Sequence, residues 1–482
     1  MVFSSIIFLF YFLPVVLTLY YTAGKVGIHI RNILLLFASL FFYAWGEPVY
    51  VILLIGSCAL SWISALCIHY FSGAKKLWLI VGCIVNVGIL FIFKYLNFSI
   101  ETANTIFRIA GAEIQIPVTD IMLPIGISFY TFQGLSYIVD VYREEAEVQK
   151  NPFYVALYIS FFPQLIAGPI VRYTTIADQI LNRTHTWEKF EQGAARFVIG
   201  LSKKILLANT FAVIADTIYE LTMAGHQIIE IPILLAWIGA LAYTLQIFFD
   251  FSAYSDMAIG LGKMFGFTFE ENFNYPYMSK SVGEFWRRWH ISLSTWFREY
   301  VYFPLGGSRV ENPDVMVRNL FIVWLLTGIW HGAAWTFIFW GLLNFLCILL
   351  ERLFKFQDST RIPNACKHIY AMFMVNMGWV LFRSENFYQF REFAGNMFGM
   401  NHNGLYNDRV FMFLKEYAFF WIAGILLCFP FSKWLKERFA QYPRISAFAG
   451  AVLYPAGLIG LFGVSVIYLV KGGYNPFIYF NF

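Results

Sequence analysis

The chain carries long apolar stretches that recur from its first residues to its last. The longest is the run from Asn319 to Leu350, 32 residues without a single Asp, Glu, Lys or Arg. A helix needs about 20 apolar residues to cross the hydrocarbon core of a bilayer, so this run is too long for one straight span. Backbone polar groups in lipid must be satisfied within the segment, and the pattern therefore predicts an all-α, polytopic integral membrane protein.

The composition excludes other classes of protein. Hydrophobic residues make up 59% of the 482-residue chain and charged residues only 13%, whereas a soluble domain has about 25% charged residues. The six cysteines show no CxxC pairing, and the net charge of +5 is scattered, which indicates membrane topology and not nucleic-acid binding. The N-terminus lacks a basic region and a small-residue cleavage site, so it is interpreted as a retained first span.

Twelve candidate spans follow from the apolar runs. Pro163, Gly168 and Pro169 interrupt one of them, which predicts a re-entrant or kinked segment. The predicted spans are 4–22, 32–46, 48–68, 77–95, 121–141, 152–170, 194–219, 231–253, 319–350 (which must bend), 368–384, 411–430 and 446–470.

Loop charge predicts the orientation of these spans. Lys and Arg are in excess over Asp and Glu in the loops 355–367 and 431–444, which assigns both loops to the cytoplasmic side. The segments without such an excess are placed outside: 96–120, 220–230 and 385–410. The last span then ends outside, so we expect residues 471–482 to form an exterior C-terminal tail of a multi-pass cell-membrane protein.

The segment 263–318 differs from the spans because basic, acidic and aromatic residues alternate along it. This mixture is typical of amphipathic helices at the cytoplasmic interface, with Trp and Tyr at headgroup depth, or of a solvated loop anchored by aromatic residues. His290 lies inside it. Arg287 and Arg288 are candidates to bind the phosphates of an anionic donor such as coenzyme A, and equally to act as positive-inside anchors.

His331 is the candidate catalytic residue. It lies in the middle of the 319–350 run, where the flanking Gly328 and Gly332 mark the expected bend, at an expected depth near mid-membrane. An ionisable residue at that depth indicates a functional site. The alternative, for His331 and for His290, is a buried histidine hydrogen-bonded to a neighbouring helix.

The absence of other motifs narrows the chemistry. The sequence has no GxSxG elbow, no P-loop and no metal-ligand spacing, so no metal is expected. A histidine in an apolar channel suits general-base catalysis of acyl transfer to a hydroxyl. Asp250 and Asp256 could orient a histidine or line a polar channel, but the favoured interpretation is that they end the span 231–253 at the interface.

Several segments resemble the membrane-bound O-acyltransferase (MBOAT) family, in its bacterial polysaccharide O-acetylating branch. The similar segments include LPIGISFYTFQGLSYIVDVYR (123–143), FFPQLIAGPIVR (161–172), FDFSAYSDMAIGLG (249–262), the long block 271–307 and GIWHGAAW (328–335). The resemblance implies a single domain over 1–482, a horseshoe of about eleven membrane helices with re-entrant segments around a central tunnel. It also implies that His331 and His290 match the two family histidines.

The resemblance further implies acetyl-CoA as the acyl donor, no permanently bound cofactor, and an exterior SGNH-type O-acetyltransferase partner that passes the group to a polysaccharide. D-alanyl transfer to teichoic acid and peptidoglycan O-acetylation are the alternatives within this class. An alternative from a different class is a transporter of a lipid-linked sugar. A transporter usually shows paired intramembrane charges or an internal repeat, and the sequence reveals neither.

The C-terminal hexapeptide FIYFNF is the last candidate site. In related systems one component ends with an F-x-Y-F motif that receives the acyl group, and Phe477, Tyr479 and Phe480 match this pattern. Tyr479 is therefore a candidate acyl relay once a base removes its proton. The alternative is an aromatic anchor at the membrane interface.

Overall fold

The computed structural model describes residues 1–222 and 231–478, and the regular elements in these residues are helices. Seven of them are long and apolar enough to cross a membrane, and an eighth span results if the bent pair Asp408–Glu416 and Ala418–Leu427 is counted as one. The seven are Tyr50–Tyr70, Ser72–Ile109, Trp187–Leu221, Ile233–Met264, Pro313–His331, Trp335–Leu353 and Pro443–Val470. The chain is thus a polytopic, all-helical membrane protein, as predicted.

One compact unit comprises Met1–Ala194 and Ala258–Glu270. The predicted interruption near Pro163 is confirmed, because a short helix, Phe162–Leu165, follows a break at Phe161 and leads into buried irregular backbone. The unit contains the helices Leu13–Ala23, Ile28–Ala44, Tyr50–Tyr70, Lys75–Leu90, Leu96–Ile109, Ile127–Tyr142, Pro152–Ser160, Phe162–Leu165 and Tyr173–Asn182, and the start of Trp187–Ser202.

The second unit comprises Ala195–Met257 and the described residues from Glu271 onward. Its helices are Asn209–Leu221, the part of Ile233–Met264 up to Met257, Val282–Arg288, Ile291–Phe297, Pro313–His331, Trp335–Leu353, Asn364–Arg383, Phe387–Met397, Asp408–Glu416, Ala418–Leu427, Phe431–Ala440, Pro443–Phe448 and Tyr454–Val470. This unit holds both candidate histidines.

The helix Ile233–Met264 is longer than the sequence predicts. It has 32 residues and continues past position 253 without a break. The helix therefore does not end at residue 253, and Asp250 and Asp256 lie within it. Their position at the membrane interface stays a prediction. Cations on another helix compensate the charges of both carboxylates.

The apolar run 319–350 folds as a helical hairpin, defined here as Pro313–His331 and Trp335–Leu353. The first helix ends at His331, and Gly332 follows at the position where the sequence predicts a bend. Close approach between the two helices requires Gly328, since a Cβ there would lie 2.6 Å from the carbonyl oxygen of Phe337. The two helices of the hairpin are antiparallel. Gly341 lies close to Trp324, whereas the earlier residue Phe337 lies close to the later residue Gly328.

Part of the segment 263–318 is buried within the protein. The side chains of Phe285, Trp286 and Trp289 are at most 7% exposed, and they pack on Trp340 and Trp379 within the protein. These three aromatic residues lie on or next to one short helix, Val282–Arg288, and meet other aromatic side chains of the same unit. An interfacial position for the rest of the segment stays a prediction.

Candidate active site

His331 is the last residue of the first hairpin helix, and its side chain is 7% exposed. Its ring lies edge-on to Trp340 with 4.8 Å between the ring centroids, and 5.3 Å from the ring of Phe382. Gly332 then takes an extended conformation that ends the helix. The end of a helix and a box of aromatic rings thus fix the imidazole in an apolar surrounding.

His290 is positioned differently, by hydrogen bonds and an unusual backbone. It is fully buried and has φ +45° and ψ +55°, a left-handed conformation that is uncommon outside glycine. Its Nδ1 lies 3.2 Å from Oδ1 of Asn272. The same Oδ1 accepts from the backbone N–H of Ser292 at 3.2 Å and from the Ser292 hydroxyl at 2.9 Å. Polar contacts around Asn272 therefore hold the His290 ring.

These contacts define the tautomer of His290. The amide oxygen of Asn272 is the acceptor, so Nδ1 of His290 carries the proton and donates it. Nε2 is left with a lone pair and has no hydrogen-bond partner within residues 1–222 and 231–478. Burial lowers the pKa of His290 to about 3, because the apolar surrounding disfavours the imidazolium. His290 is therefore neutral at physiological pH.

Trp330 connects the two histidines. Its ring centroid lies 4.9 Å from that of His331 and 6.1 Å from that of His290. The structure thus brings the two sequence-predicted histidines, 41 positions apart, to one indole ring. The indole ring of Trp330 contributes apolar surface to the surroundings of both imidazoles.

Three hydrogen bonds connect the helix Val282–Arg288, which precedes His290, to the hairpin. The carboxylate of Glu351 accepts hydrogen bonds from the backbone N–H groups of Val282 at 2.6 Å and Gly283 at 2.9 Å. This is a favourable place for a negative charge, because the N-terminus of the helix Val282–Arg288 leaves these donors unsatisfied. In addition, Nε1 of Trp286 donates to Oδ1 of Asn344 at 2.8 Å.

The two candidate donor-binding arginines have different surroundings. Arg287 is exposed, and its guanidinium lies 3.3 Å from Oε1 of Gln357. Arg288 is half-buried and pairs with Glu284 at 2.8 Å. A role in donor binding stays a prediction for both.

Asp250 and Asp256 are both paired with cations. Asp250 forms an ion pair with Lys204 at 2.7 Å, and Asp256 pairs with Lys203 at 2.8 Å and Arg196 at 2.9 Å. The two lysines are adjacent on a π-helical turn, Lys203–Ala208, a distortion that is frequent at functional sites. Paired charges within candidate spans therefore exist, and the inference from sequence that there are none is wrong.

Sequence reasoning missed the partners in these contacts. Lys203 and Lys204 stand in a largely apolar predicted span, and lysines in such a position need acidic partners, so the sequence did indicate that partners exist. Nothing in the sequence indicated the contacts of Asn272 and Glu351, because the residues that they contact are distant in sequence. Tyr479 lies outside the described residues, and its role as a relay stays a prediction.

Comparison with known proteins identifies a family and several relatives of this chain. Residues 59–383 match the model of the membrane-bound O-acyltransferase family, MBOAT. This range contains both His290 and His331. A probable alginate O-acetylase AlgI from Pseudomonas putida is 40% identical, with all of both chains covered. A probable alginate O-acetylase AlgI from Pseudomonas aeruginosa is 46% identical over 80% of this chain and 72% of its own. A peptidoglycan O-acetyltransferase from Helicobacter pylori is 33% identical over 100% of this chain and 98% of its own.

Proposed function

Because the chain belongs to the membrane-bound O-acyltransferase family and is an O-acetyltransferase of that type, we propose that it moves acetyl groups from cytoplasmic acetyl-CoA across the cell membrane. The final acceptor is an extracytoplasmic polysaccharide of the alginate kind. The observation that carries this proposal is the 40% identity, over both full lengths, to a probable alginate O-acetylase.

In the chemical step, His331 is the general base. Its imidazole takes the proton from the acceptor hydroxyl, and the hydroxyl oxygen attacks the carbonyl carbon of the thioester. The carbon–sulfur bond then breaks, and the thiolate of coenzyme A takes the proton back from the imidazolium. The aromatic surrounding of His331 supports this role, because the box of rings keeps bulk water from hydrolysing the thioester.

His290 supports the chemistry without accepting the proton. Its low pKa makes it a weak base, but its unprotonated Nε2 can accept a hydrogen bond from a substrate donor. The shared contact with Trp330 supports a common site for the two histidines.

The donor enters from the cytoplasmic side over the segment 263–318. Loop charge supports this direction, and the exposed guanidinium of Arg287 is available to the phosphates of coenzyme A. On the outer face, Tyr479 receives the acetyl group and an SGNH-type partner transfers it to the polysaccharide. Asp250 and Asp256 contribute to the polar lining of the passage.

Peptidoglycan O-acetylation is the second candidate, since the Helicobacter pylori relative aligns over the full chain. A test uses the purified protein with radiolabelled acetyl-CoA. We expect acetyl-CoA to be consumed and label to reach the protein or an added acceptor. A lipid-linked sugar transporter would consume none, and a D-alanyl transferase would instead require a D-alanyl carrier. Acetyl analysis of exopolysaccharide and peptidoglycan from cells with and without the gene then separates the two acceptors.

A further inference from the structure

The C-terminal segment 474–478 is bound to the interior of the second unit by its backbone. The carbonyl oxygen of Pro476 accepts a hydrogen bond from the ammonium of Lys204. Two residues further, the backbone N–H of Ile478 donates to Oδ2 of Asp250 at 2.9 Å. The side chain of Ile478 is 6% exposed. Ile478 is therefore buried in the second unit.

Two further side-chain hydrogen bonds hold the start of the segment. The side-chain amide of Asn209 donates to Oδ1 of Asn475 at 3.1 Å. The hydroxyl of Tyr474 donates to a carboxylate oxygen of Asp216 at 2.8 Å. The segment follows Gly472, whose φ of +70° produces the turn that directs the chain back after the last span.

The Lys204–Asp250 pair and the segment complement each other chemically. The pair is separated by 2.7 Å, and its side chains are 4% and 3% exposed. A buried ion pair of this kind requires further hydrogen bonds to offset the loss of water. The segment supplies one to each partner, a carbonyl oxygen for the ammonium and an N–H for the carboxylate. Asp256, on the same helix, satisfies its charge with Lys203 and Arg196 instead.

Residues 251–255 of the helix Ile233–Met264 contact the C-terminal segment, His290 and Asn272. Tyr254 packs against Phe477 with 5.1 Å between ring centroids, and Phe251 packs edge-on against His290 at 4.6 Å. Ser255 accepts a hydrogen bond from Asn272, the residue that orients His290. The segment is therefore anchored next to the helix turns that position the candidate site.

We propose that Lys204 and Asp250 form a docking site for the C-terminal segment of this same chain, and that they are positioning residues for the acyl transfer. The docking site holds Ile478, the residue that precedes Tyr479 in the sequence. The docking itself is independent of the proposed function. Only its effect on acetyl transfer rests on that function.

Hydrogen exchange of the segment 474–482, measured by mass spectrometry on the full-length protein, tests the docking. In the first variant, Lys204→Met with Asp250→Leu, both charges are removed together, so no unpaired charge is left buried. In the second, Ile478→Pro, only the N–H donor is removed and the ion pair is untouched. We expect exchange in the segment to accelerate at least about tenfold in both, because each loses a hydrogen bond to a charged group.

Ile478→Val is the matched control, because it keeps the backbone N–H, and its exchange should equal that of the parent.

The charge-exchanged variant, Lys204→Asp with Asp250→Lys, keeps an ion pair but places a donor opposite the N–H of Ile478, so its segment should also be released. Unchanged slow exchange in Ile478→Pro, or fast exchange already in the parent, would overturn the proposal. If the first variant does not fold, Ile478→Pro decides alone.

Acetyl transfer is then measured on the same samples. Release of the segment together with an at least tenfold loss of transfer in Ile478→Pro supports both docking and positioning. Release with full transfer keeps the docking site and overturns the positioning role. A segment that stays protected in Ile478→Pro refutes the docking site whatever the activity, so failure of the docking and failure of the proposed function give different results.

Discussion

The surroundings of the two histidines differ in kind, although both rings contact Trp330. His331 stands at the end of a hairpin helix among the rings of Trp340 and Phe382. His290 has a left-handed backbone, and Asn272 fixes its ring through a polar network. Aromatic rings thus pack around one imidazole, and hydrogen bonds determine the orientation and the tautomer of the other.

This difference indicates how the two residues divide the work. Under the proposed function, His331 takes the proton of the acceptor hydroxyl within its aromatic surroundings. An imidazole whose Nδ1–H is already donated, and whose pKa is about 3, is suited to accept a hydrogen bond without ionising. The predictions below test this division.

Replacement of His331 should have the largest effect. We expect His331→Ala to lower acetyl transfer by about a thousandfold or more, in the upper part of the range for loss of a general base. His331→Gln keeps most of the side-chain volume and serves as the packing control, and it should be equally inactive. Thermal unfolding should show both variants folded. Near-normal transfer in either variant would remove His331 from the chemistry.

Replacement of His290 should have a smaller effect. We expect His290→Ala to lower transfer by about ten- to a hundredfold, because a positioning contact is lost and the base remains. Asn272→Leu should reproduce much of this loss, whereas Asn272→Asp keeps an acceptor for Nδ1–H and should retain more activity. A loss as complete as that of His331→Ala would show that the two histidines share one role.

The sequence predicted the helix break after His331 but not the surroundings of either histidine. The break after His331 was predictable because a 32-residue apolar run is too long for one span and two glycines flank the histidine. The contacts of His290 were not predictable, because Asn272 and Glu351 are distant in sequence. The Lys204–Asp250 pair joins residues 46 positions apart, and only the lysine in an apolar run indicated that such a partner must exist.

Glu351 connects the surroundings of the two histidines, and its replacement should lower stability. Glu351→Ala leaves two backbone N–H groups of a helix N-terminus without their carboxylate, so we expect a loss of about 2–3 kcal/mol in the free energy of unfolding. Glu351→Gln keeps one acceptor oxygen and should lose about half as much. Thermal unfolding in detergent measures both. Equal stability of Glu351→Ala and the parent would contradict this role.

The smallest effect concerns pH. The unfolded chain protonates His290 near pH 6.5, whereas the folded protein does so only near pH 3. Stability should therefore decrease as the pH falls below 6.5, by about 1.4 kcal/mol per pH unit for this group. His185, whose pKa burial and Arg31 lower to about 4, adds to the same trend. We expect His290→Gln to show a shallower decrease between pH 6.5 and pH 5 than the parent, and an identical slope would contradict the buried, neutral state of His290.

The most direct test of the central claim is a sided assay in proteoliposomes of known protein orientation. Acetyl-CoA is supplied on one face only, and release of the free thiol of coenzyme A is measured for the parent and for His331→Ala. We expect the parent to release thiol only when the donor is on the face that carries the loop 431–444, and His331→Ala to release none. Release from the opposite face, or equal release by His331→Ala, would contradict the account.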